Sequence, residues 1–165
     1  MKKKVITGGG DYTSLLPIFR DIVVKSGIKP QENVIFSGCP GPCYSMATFF
    51  GFGIRDLDLN LYFAVNAEIN HLWRMEYMEK LGVLATERAA PLKAKAIVLM
   101  SGLTRMPLEK TLSLIQEALD QNGVIIGETV DPGLFEKAGW DKQIPFNFLL
   151  EFSMYNPSTY EIVSH

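Results

Sequence analysis

The chain has few of the residues that most often bind metals: two cysteines and two histidines among 165 residues. A structural zinc site usually takes four protein ligands, and beyond Cys39 and Cys43 the chain offers only His71 and His165. No metal site is therefore predicted. The phosphate-loop pattern and the complete dinucleotide-binding glycine fingerprint are also absent, so no cofactor is assigned.

Concentrated positive charge and long apolar runs are missing too. The chain has 16 Lys and Arg residues and 18 Asp and Glu residues, and only Lys2, Lys3 and Lys4 form a basic cluster. Nucleic-acid binding draws on a concentrated positive surface, so nucleic acid is not an expected partner. Charges or glycines interrupt every apolar stretch before it reaches the length of a membrane span, so no membrane partner is expected either.

The sequence shows no signal-peptide pattern. The apolar segment of such a peptide does not develop, because Val5 and Ile6 are followed at once by the glycines at 8–10. Two cysteines in a chain of this kind favour a reducing compartment. We therefore expect a cytoplasmic protein.

What the chain does contain is an alternation of apolar runs and helical patterns, typical of one α/β domain over residues 1–165. Apolar runs bounded by turn residues predict five strands, and apolar residues at helical spacing predict five helices. The first helix follows Thr13 or Ser14 and stops at Gly27. The predicted strands cover 33–37, 59–66, 94–101, 124–128 and 146–152, and the other predicted helices cover 43–52, 68–81, 107–122 and 132–138.

These elements predict a three-layer αβα fold with a mostly parallel five-stranded sheet. The runs at 97–100 and 124–126 are apolar throughout, which is typical of parallel strands covered on both faces. Segment 83–86 is not counted as a strand, because eight residues before Lys95 are too few for a parallel crossover. We therefore favour the flavodoxin-like, Rossmann-like order 2-1-3-4-5, with residues 159–163 as a candidate antiparallel edge strand at the C-terminus.

The predicted order places the turns after the first and third strands side by side. Both turns contain glycine and hydroxyl residues, and such crevices at the carboxyl ends of strands usually bind ligands. Glycines let a ligand approach the backbone, and a guanidinium adds a bidentate anion contact. The alternative is that these residues only shape the turns. The candidate ligand-binding residues are Ser37, Gly38, Gly41, Asn66, Ser101, Gly102, Thr104 and Arg105.

Both cysteines lie in the first of these turns. The C-x-x-x-C spacing of Cys39 and Cys43 places two sulfurs about one helical turn apart. A helix amino end favours a thiolate, which makes Cys43 the better candidate for a reactive thiol. A redox pair and plain packing of buried thiols both stay open.

Three segments carry a resemblance to a known family. They are Phe36-Ser37-Gly38-Cys39-Pro40-Gly41-Pro42-Cys43, Ser101-Gly102-Leu103 and Phe135-Glu136-Lys137-Ala138-Gly139-Trp140. With them the chain resembles a family of uncharacterised proteins from methanogenic archaea. The resemblance implies an archaeal cytoplasm and one αβα domain, and it brings no activity or catalytic residue with it.

Three functions are compatible with the sequence, and whether the protein is an enzyme is left open. The leading hypothesis is a protein that binds a small anionic or nucleotide-like ligand at the two turns. The second is a thiol redox switch that uses Cys39 and Cys43. The third is a non-catalytic scaffold or homo-oligomer with exposed aromatic residues, for which the candidates are Phe49, Phe50, Phe52, Trp73 and Tyr77.

Overall fold

The fold is a three-layer α/β structure built on one seven-stranded sheet, as seen in a computed structural model that describes residues 1–154. The strands are β1 (Asn33–Gly38), β2 (Asn60–Val65), β3 (Leu72–Met78), β4 (Gly82–Ala89), β5 (Ala94–Met100), β6 (Leu119–Thr129) and β7 (Phe148–Glu151). The helices are α1 (Leu15–Lys25), α2 (Pro42–Gly53), α3 (Leu108–Ala118) and the short α4 (Leu134–Lys137). Short 3-10 turns cover Tyr12–Ser14, Ile69–His71, Ser101–Arg105 and Trp140–Lys142.

The strand order is β4-β3-β2-β1-β5-β6-β7. The neighbouring pairs β2–β1, β1–β5, β5–β6 and β6–β7 are parallel, whereas the pairs β2–β3 and β3–β4 are antiparallel. The predicted five-strand order is therefore incomplete as a description of this sheet. Two antiparallel strands extend it beyond β2, while β1 and β5 are the neighbours that the prediction required.

Helices cover both faces of the sheet. On one face, α1 and α2 pack on the parallel strands, where the rings of Phe19, Phe36 and Phe50 are fully buried together. On the other face, α3 and α4 contribute Leu114 and Phe135 to a second apolar cluster. The apolar runs of the central strands follow from this arrangement, because residues on both faces of β5 are buried.

The predicted helix at 68–81 is wrong: its residues form a 3-10 turn and strand β3. Leu72 and Met75 are buried against β2, and Met75 pairs with Leu61. The short connection before Lys95 excluded only a strand at 83–86 that is joined to the next strand by a parallel crossover. Strand β4 is antiparallel to β3, so a short turn connects the two strands.

Several other predicted boundaries change as well: the strand predicted at 124–128 is β6, and the helix predicted at 132–138 is the short α4. The helix predicted at 107–122 ends at Ala118, because residue 119 already begins β6. The last predicted strand, at 146–152, is shortened to β7. The candidate edge strand at 159–163 lies outside the described residues. Over the described part of the chain, no helix is both long and apolar enough to span a membrane.

The turn of the β3–β4 hairpin supplies a test of the revised fold. Gly82 has φ +107° with open space around its Cα, whereas Lys80 holds φ +65° with a side chain. Gly82→Ala should therefore destabilise the fold by about 1 kcal/mol through backbone strain alone. Lys80→Gly should be neutral or stabilising by up to about 1 kcal/mol, because it removes strain in the left-handed region.

Urea unfolding measures both changes in the free energy of unfolding, as shifts of the midpoint at an unchanged m-value. Equal midpoints for Gly82→Ala and the wild-type protein would contradict the hairpin turn described here.

Candidate functional site

The turns after β1 and β5 lie against each other, as their central positions in the sheet require. Ser37 pairs with Leu99 across the two strands, so the segments that begin at Gly38 and Ser101 leave the sheet side by side. The first turn leads into α2 through Gly41, which has φ +79° and precedes Pro42 at the first helical position. The second turn continues as a 3-10 segment from Ser101 to Arg105.

The space between the two turns is occupied by the two cysteine side chains. Cys39 Sγ lies 3.0 Å from Cys43 Sγ, and both thiols are free. A Cβ added at Gly102 would lie 2.5 Å from Cys43 Sγ and 2.7 Å from Cys39 Sγ. A Cβ at Gly38 would lie 2.4 Å from Cys43 Cβ. The two glycines therefore make room for sulfur atoms and not for an enclosed ligand.

The two thiols differ in their environments. Cys43 is buried, with 7% of its surface exposed, whereas Cys39 is only partly buried. Burial, and then the hydrogen bond with Cys39, raise the pKa of the Cys43 thiol to about 12, although backbone N–H groups of Cys39 and Gly102 donate to its sulfur. The helix-dipole argument for a low pKa at Cys43 is thus outweighed by desolvation.

The other candidate residues serve mainly to build the turns. The Ser37 hydroxyl is buried and donates to the Ala64 carbonyl at 3.0 Å. The Thr104 hydroxyl donates to the Ser101 carbonyl at 2.8 Å. Asn66 has φ +54°, and its backbone N–H donates to the Gly38 carbonyl at 2.9 Å. The hydroxyls of Ser37 and Thr104 thus bond within the protein, and Asn66 is held at the site through its backbone.

Arg105 is exposed at the end of the second turn. Gly41 is exposed as well, at the amino end of α2. Gly41 and Arg105 are the most exposed positions of the predicted anion site, whereas Asn66, Ser101, Gly102 and Thr104 are partly buried. Among the described residues, no group of three or more His, Cys, Asp or Glu side chains is arranged to hold a metal ion.

Sequence reasoning assigned no role to Glu128, which pairs with Met100 and Leu150 near the end of β6. Its side chain is 2% exposed, and within the described structure its Oε1 atom has no hydrogen-bond partner. Burial raises the pKa of Glu128 to about 7, and a hydrogen bond from the Ser101 N–H lowers it only partly. The signal available in the sequence was a carboxylate at the end of the apolar run 124–126.

The aromatic residues proposed for self-association are mostly covered within the chain. Phe50 is fully buried, and Phe49, Phe52 and Trp73 are partly buried. Tyr77 is exposed at 47%, near Phe52 and below the guanidinium of Arg55. The aromatic side chains therefore do not form one exposed patch.

Known proteins include relatives whose sequences match most of this chain. The model of DUF2124, described as an uncharacterised protein conserved in archaea, matches residues 12–155. An uncharacterised protein of Methanocaldococcus jannaschii is 29% identical over 153 residues, which are 92% of this chain and 91% of the relative. A second, from Methanothermobacter thermautotrophicus, is 29% identical over 133 residues, 78% of this chain and 83% of the relative.

A solved structure shares the fold. The crystal structure of a protein of unknown function from Methanothermobacter thermautotrophicus superposes with a TM-score of 0.84 at 23% sequence identity. The match covers 98% of this chain and 100% of that one. The predicted resemblance to proteins of methanogens is confirmed, together with the α/β class of the fold.

The buried carboxyl gives a pH-dependent test of the site. The pKa of Glu128 is higher in the folded protein than its ordinary value of 4.5, so its contribution to stability is present below pH 4.5 and is lost as the pH rises toward 7. Glu128→Gln keeps the shape and cannot ionise. Relative to this variant, the wild-type protein should lose up to about 3 kcal/mol of unfolding free energy between pH 4.5 and 8.

Urea unfolding of reduced protein at pH 4.5 and pH 8 measures this difference, with the exposed Glu87→Gln as the control. The same pH dependence in wild-type protein and Glu128→Gln would show that Glu128 is not the group responsible.

Proposed function

The chain belongs to the DUF2124 family of archaeal proteins, and we propose that it is a cytoplasmic thiol–disulfide protein in which Cys39 and Cys43 close reversibly into a disulfide. The observation that carries the proposal is the 3.0 Å separation of the two sulfur atoms. A disulfide bond is about 2.05 Å long, so closure needs a displacement of only about 1 Å.

The two thiols have different accessibilities, and these suggest different roles. Cys39 is the thiol that solvent and a partner reach, and Cys43 is the buried thiol behind it. Cys39 attacks a disulfide of a protein or small-molecule partner, forms a mixed disulfide and releases one partner thiolate. Cys43 then attacks Cys39 Sγ and expels the second partner thiolate. Two electrons pass to the partner, and the two thiol protons are lost to solvent or to the departing thiolates.

The two turns support this chemistry sterically. Glycine at positions 38 and 102 leaves the space that the sulfurs occupy, and any side chain at either position would displace them. Pro40 and Pro42 flank the exposed Gly41 and stiffen the loop between the thiols. A stiff loop holds the sulfur atoms close in the reduced state, which favours closure over reaction of each thiol alone.

Binding of an anionic or nucleotide-like ligand stays a prediction with less support. The exposed Gly41 and Arg105 remain available to an anion. The enclosed space between the turns, where such a ligand was expected, is filled by Cys39 and Cys43. An anion would therefore have to bind on the surface of the turns, without the enclosure that gives small-molecule sites most of their affinity.

Self-association also stays a prediction. Its proposed aromatic surface is largely covered within the chain. The thiol pair does not depend on it, because both cysteines and both glycines of the site belong to one chain.

The two cysteines should react in a fixed order with 5,5′-dithiobis(2-nitrobenzoate), an aromatic disulfide that releases a coloured thiol. The wild-type protein should release two equivalents and finish as an internal disulfide without an adduct. Cys43→Ser should release one equivalent and retain the adduct on Cys39. Cys39→Ser should react at least about tenfold more slowly, because Cys43 is buried and its pKa is raised.

Absorbance gives the stoichiometry and mass spectrometry identifies the products, with the exposed Ser45→Ala on α2 as the matched control. Two stable adducts on the wild-type protein would refute the proposed disulfide. Failure to form an internal disulfide with any oxidant would refute it as well.

A further inference from the structure

Arg105 is a cation whose side chain the disulfide chemistry described so far does not use. It is exposed at the end of the 3-10 segment that follows β5. Among the other arginines, Arg20 and Arg74 pair with carboxylates. Arg55 and Arg88 donate to backbone carbonyls. Within residues 1–154, Arg105 is the one arginine that has no such partner.

The geometry of the 3-10 segment places Arg105 on the same side of its turn as the thiols. Side chains three residues apart in a 3-10 helix lie one above the other, about 6 Å apart along the axis. Gly102 and Arg105 are such a pair within Ser101–Arg105. Gly102 faces the thiols, because a Cβ placed on it would lie 2.7 Å from Cys39 Sγ. A group bound to Cys39 through sulfur therefore comes within the length of an extended arginine side chain.

The two turns of the site carry no charge other than that of Arg105. Residues 38–46 contain no acidic or basic side chain, and residues 101–106 contain Arg105 alone. The loop between the two thiols, at 40–42, is exposed and offers only proline and glycine. A molecule that approaches Cys39 across this loop therefore meets one positive charge and no negative one from either turn.

The acidic residues of the adjoining elements do not cancel this charge. Glu68, in the turn after β2, pairs with Lys110 at 2.8 Å. Asp131, in the turn after β6, pairs with Lys137 at 3.4 Å. Glu128 is buried, and burial raises its pKa to about 7, so that it is mostly protonated below neutral pH. The entrance to the thiol pair is therefore a locally positive surface.

We infer that the partner of the thiol pair is a small anionic disulfide and that Arg105 selects it, an inference that rests on the proposed disulfide function. The Cys39 thiolate attacks the disulfide, one half leaves as a thiolate, and the other half stays bound to Cys39. The guanidinium of Arg105 contacts the anionic group of the bound half. Cys43 then attacks Cys39 Sγ and releases that half as the second thiolate. The protein dithiol is oxidised to a disulfide, the partner is reduced to two thiols, and the two protons pass from the dithiol to the departing thiolates.

The contact with Arg105 acts on selectivity more than on affinity. An ion pair about 4 Å apart in water changes a rate or an equilibrium by about fivefold. Such a contact would hold a free anion poorly, which agrees with the filled space between the turns. A disulfide needs no tighter binding, because the reaction attaches it covalently to Cys39. Since Cys39 is partly buried between two turns, a small disulfide reaches it more readily than the disulfide of a folded protein.

Three disulfides with the same two-carbon arms test the inference. They are 3,3′-dithiodipropionate, which is anionic, 3,3′-dithiodipropionamide, which is neutral, and cystamine, which is cationic. The full-length Cys43→Ser variant stops at the mixed disulfide, so mass spectrometry over time gives the rate of attack by Cys39 alone. At low ionic strength and about pH 6.5, adding Arg105→Gln should slow the reaction with the anionic probe about fivefold and speed that with cystamine about fivefold.

The neutral probe corrects for any change in the reactivity of Cys39 itself, and its rate should stay within about twofold. Arg105→Lys should keep most of the preference, and about 0.5 M salt should reduce the differences below about twofold. Lys29→Gln is the matched control. It removes one exposed positive charge before β1, at the opposite edge of the sheet, and should leave all three rates unchanged.

The outcomes separate this inference from the proposed function. A wild-type protein that forms no internal disulfide with any probe or with 5,5′-dithiobis(2-nitrobenzoate) refutes the disulfide itself. An effect of Arg105→Gln that is absent, or equal for all three probes, overturns only the role of Arg105. If Arg105→Gln does not fold by circular dichroism, the Cys43→Ser protein decides alone. The ratio of its anionic-probe rate to its cystamine rate must fall with added salt, and a ratio that rises or stays constant overturns the inference.

Discussion

The site depends on one constraint, the pairing of β1 and β5 as parallel neighbours in the middle of the sheet. Parallel pairing makes both chains leave the sheet at the same edge, so their following turns must share one small volume. Gly38 and Gly102 face that volume, and the absence of a Cβ at each leaves space for two sulfur atoms and little else. The turns that would bind a ligand in another protein of this architecture here enclose a dithiol.

Two opposing effects act on the Cys43 thiol, and their magnitudes decide its character. Backbone N–H donors and the amino end of α2 favour the thiolate, with a dipole contribution of about 0.3–1 kcal/mol near the surface and up to about 2 kcal/mol in partly buried sites. Burial acts in the opposite sense and is the largest cause of the shift to a pKa of about 12. A helix amino end lowers a thiol pKa only while solvent or a cation still stabilises the charge, and Cys43 has lost most of its solvent.

The sequence allowed the central part of the fold to be predicted, because short apolar runs such as 97–100 that are bounded by turn residues are typical of buried parallel strands. It misled at Leu72 and Met75, whose spacing of three fits one face of a helix. In the regular strand β3 the two side chains lie on opposite faces of the sheet, Leu72 in one apolar cluster and Met75 in the other, so no single buried face marks the strand. The thiol turn was located correctly from Gly and Pro, but burial of Cys43 over Gly38 depends on contacts between distant segments and has no local signature.

Glu128 shows why sequence-based reasoning overlooks a buried carboxyl. A carboxylate at the end of an apolar strand breaks the local pattern, and a sequence-based argument assigns it by default to a solvated strand end. The structure instead buries it against Met100 and Leu150, where its charged form is disfavoured. Such violations of the burial rule cost stability, so they are expected where chemistry compensates for the cost. The charged form of Glu128 is the disfavoured one, so this cost grows as the pH rises through about 7 and is absent while the carboxyl stays protonated.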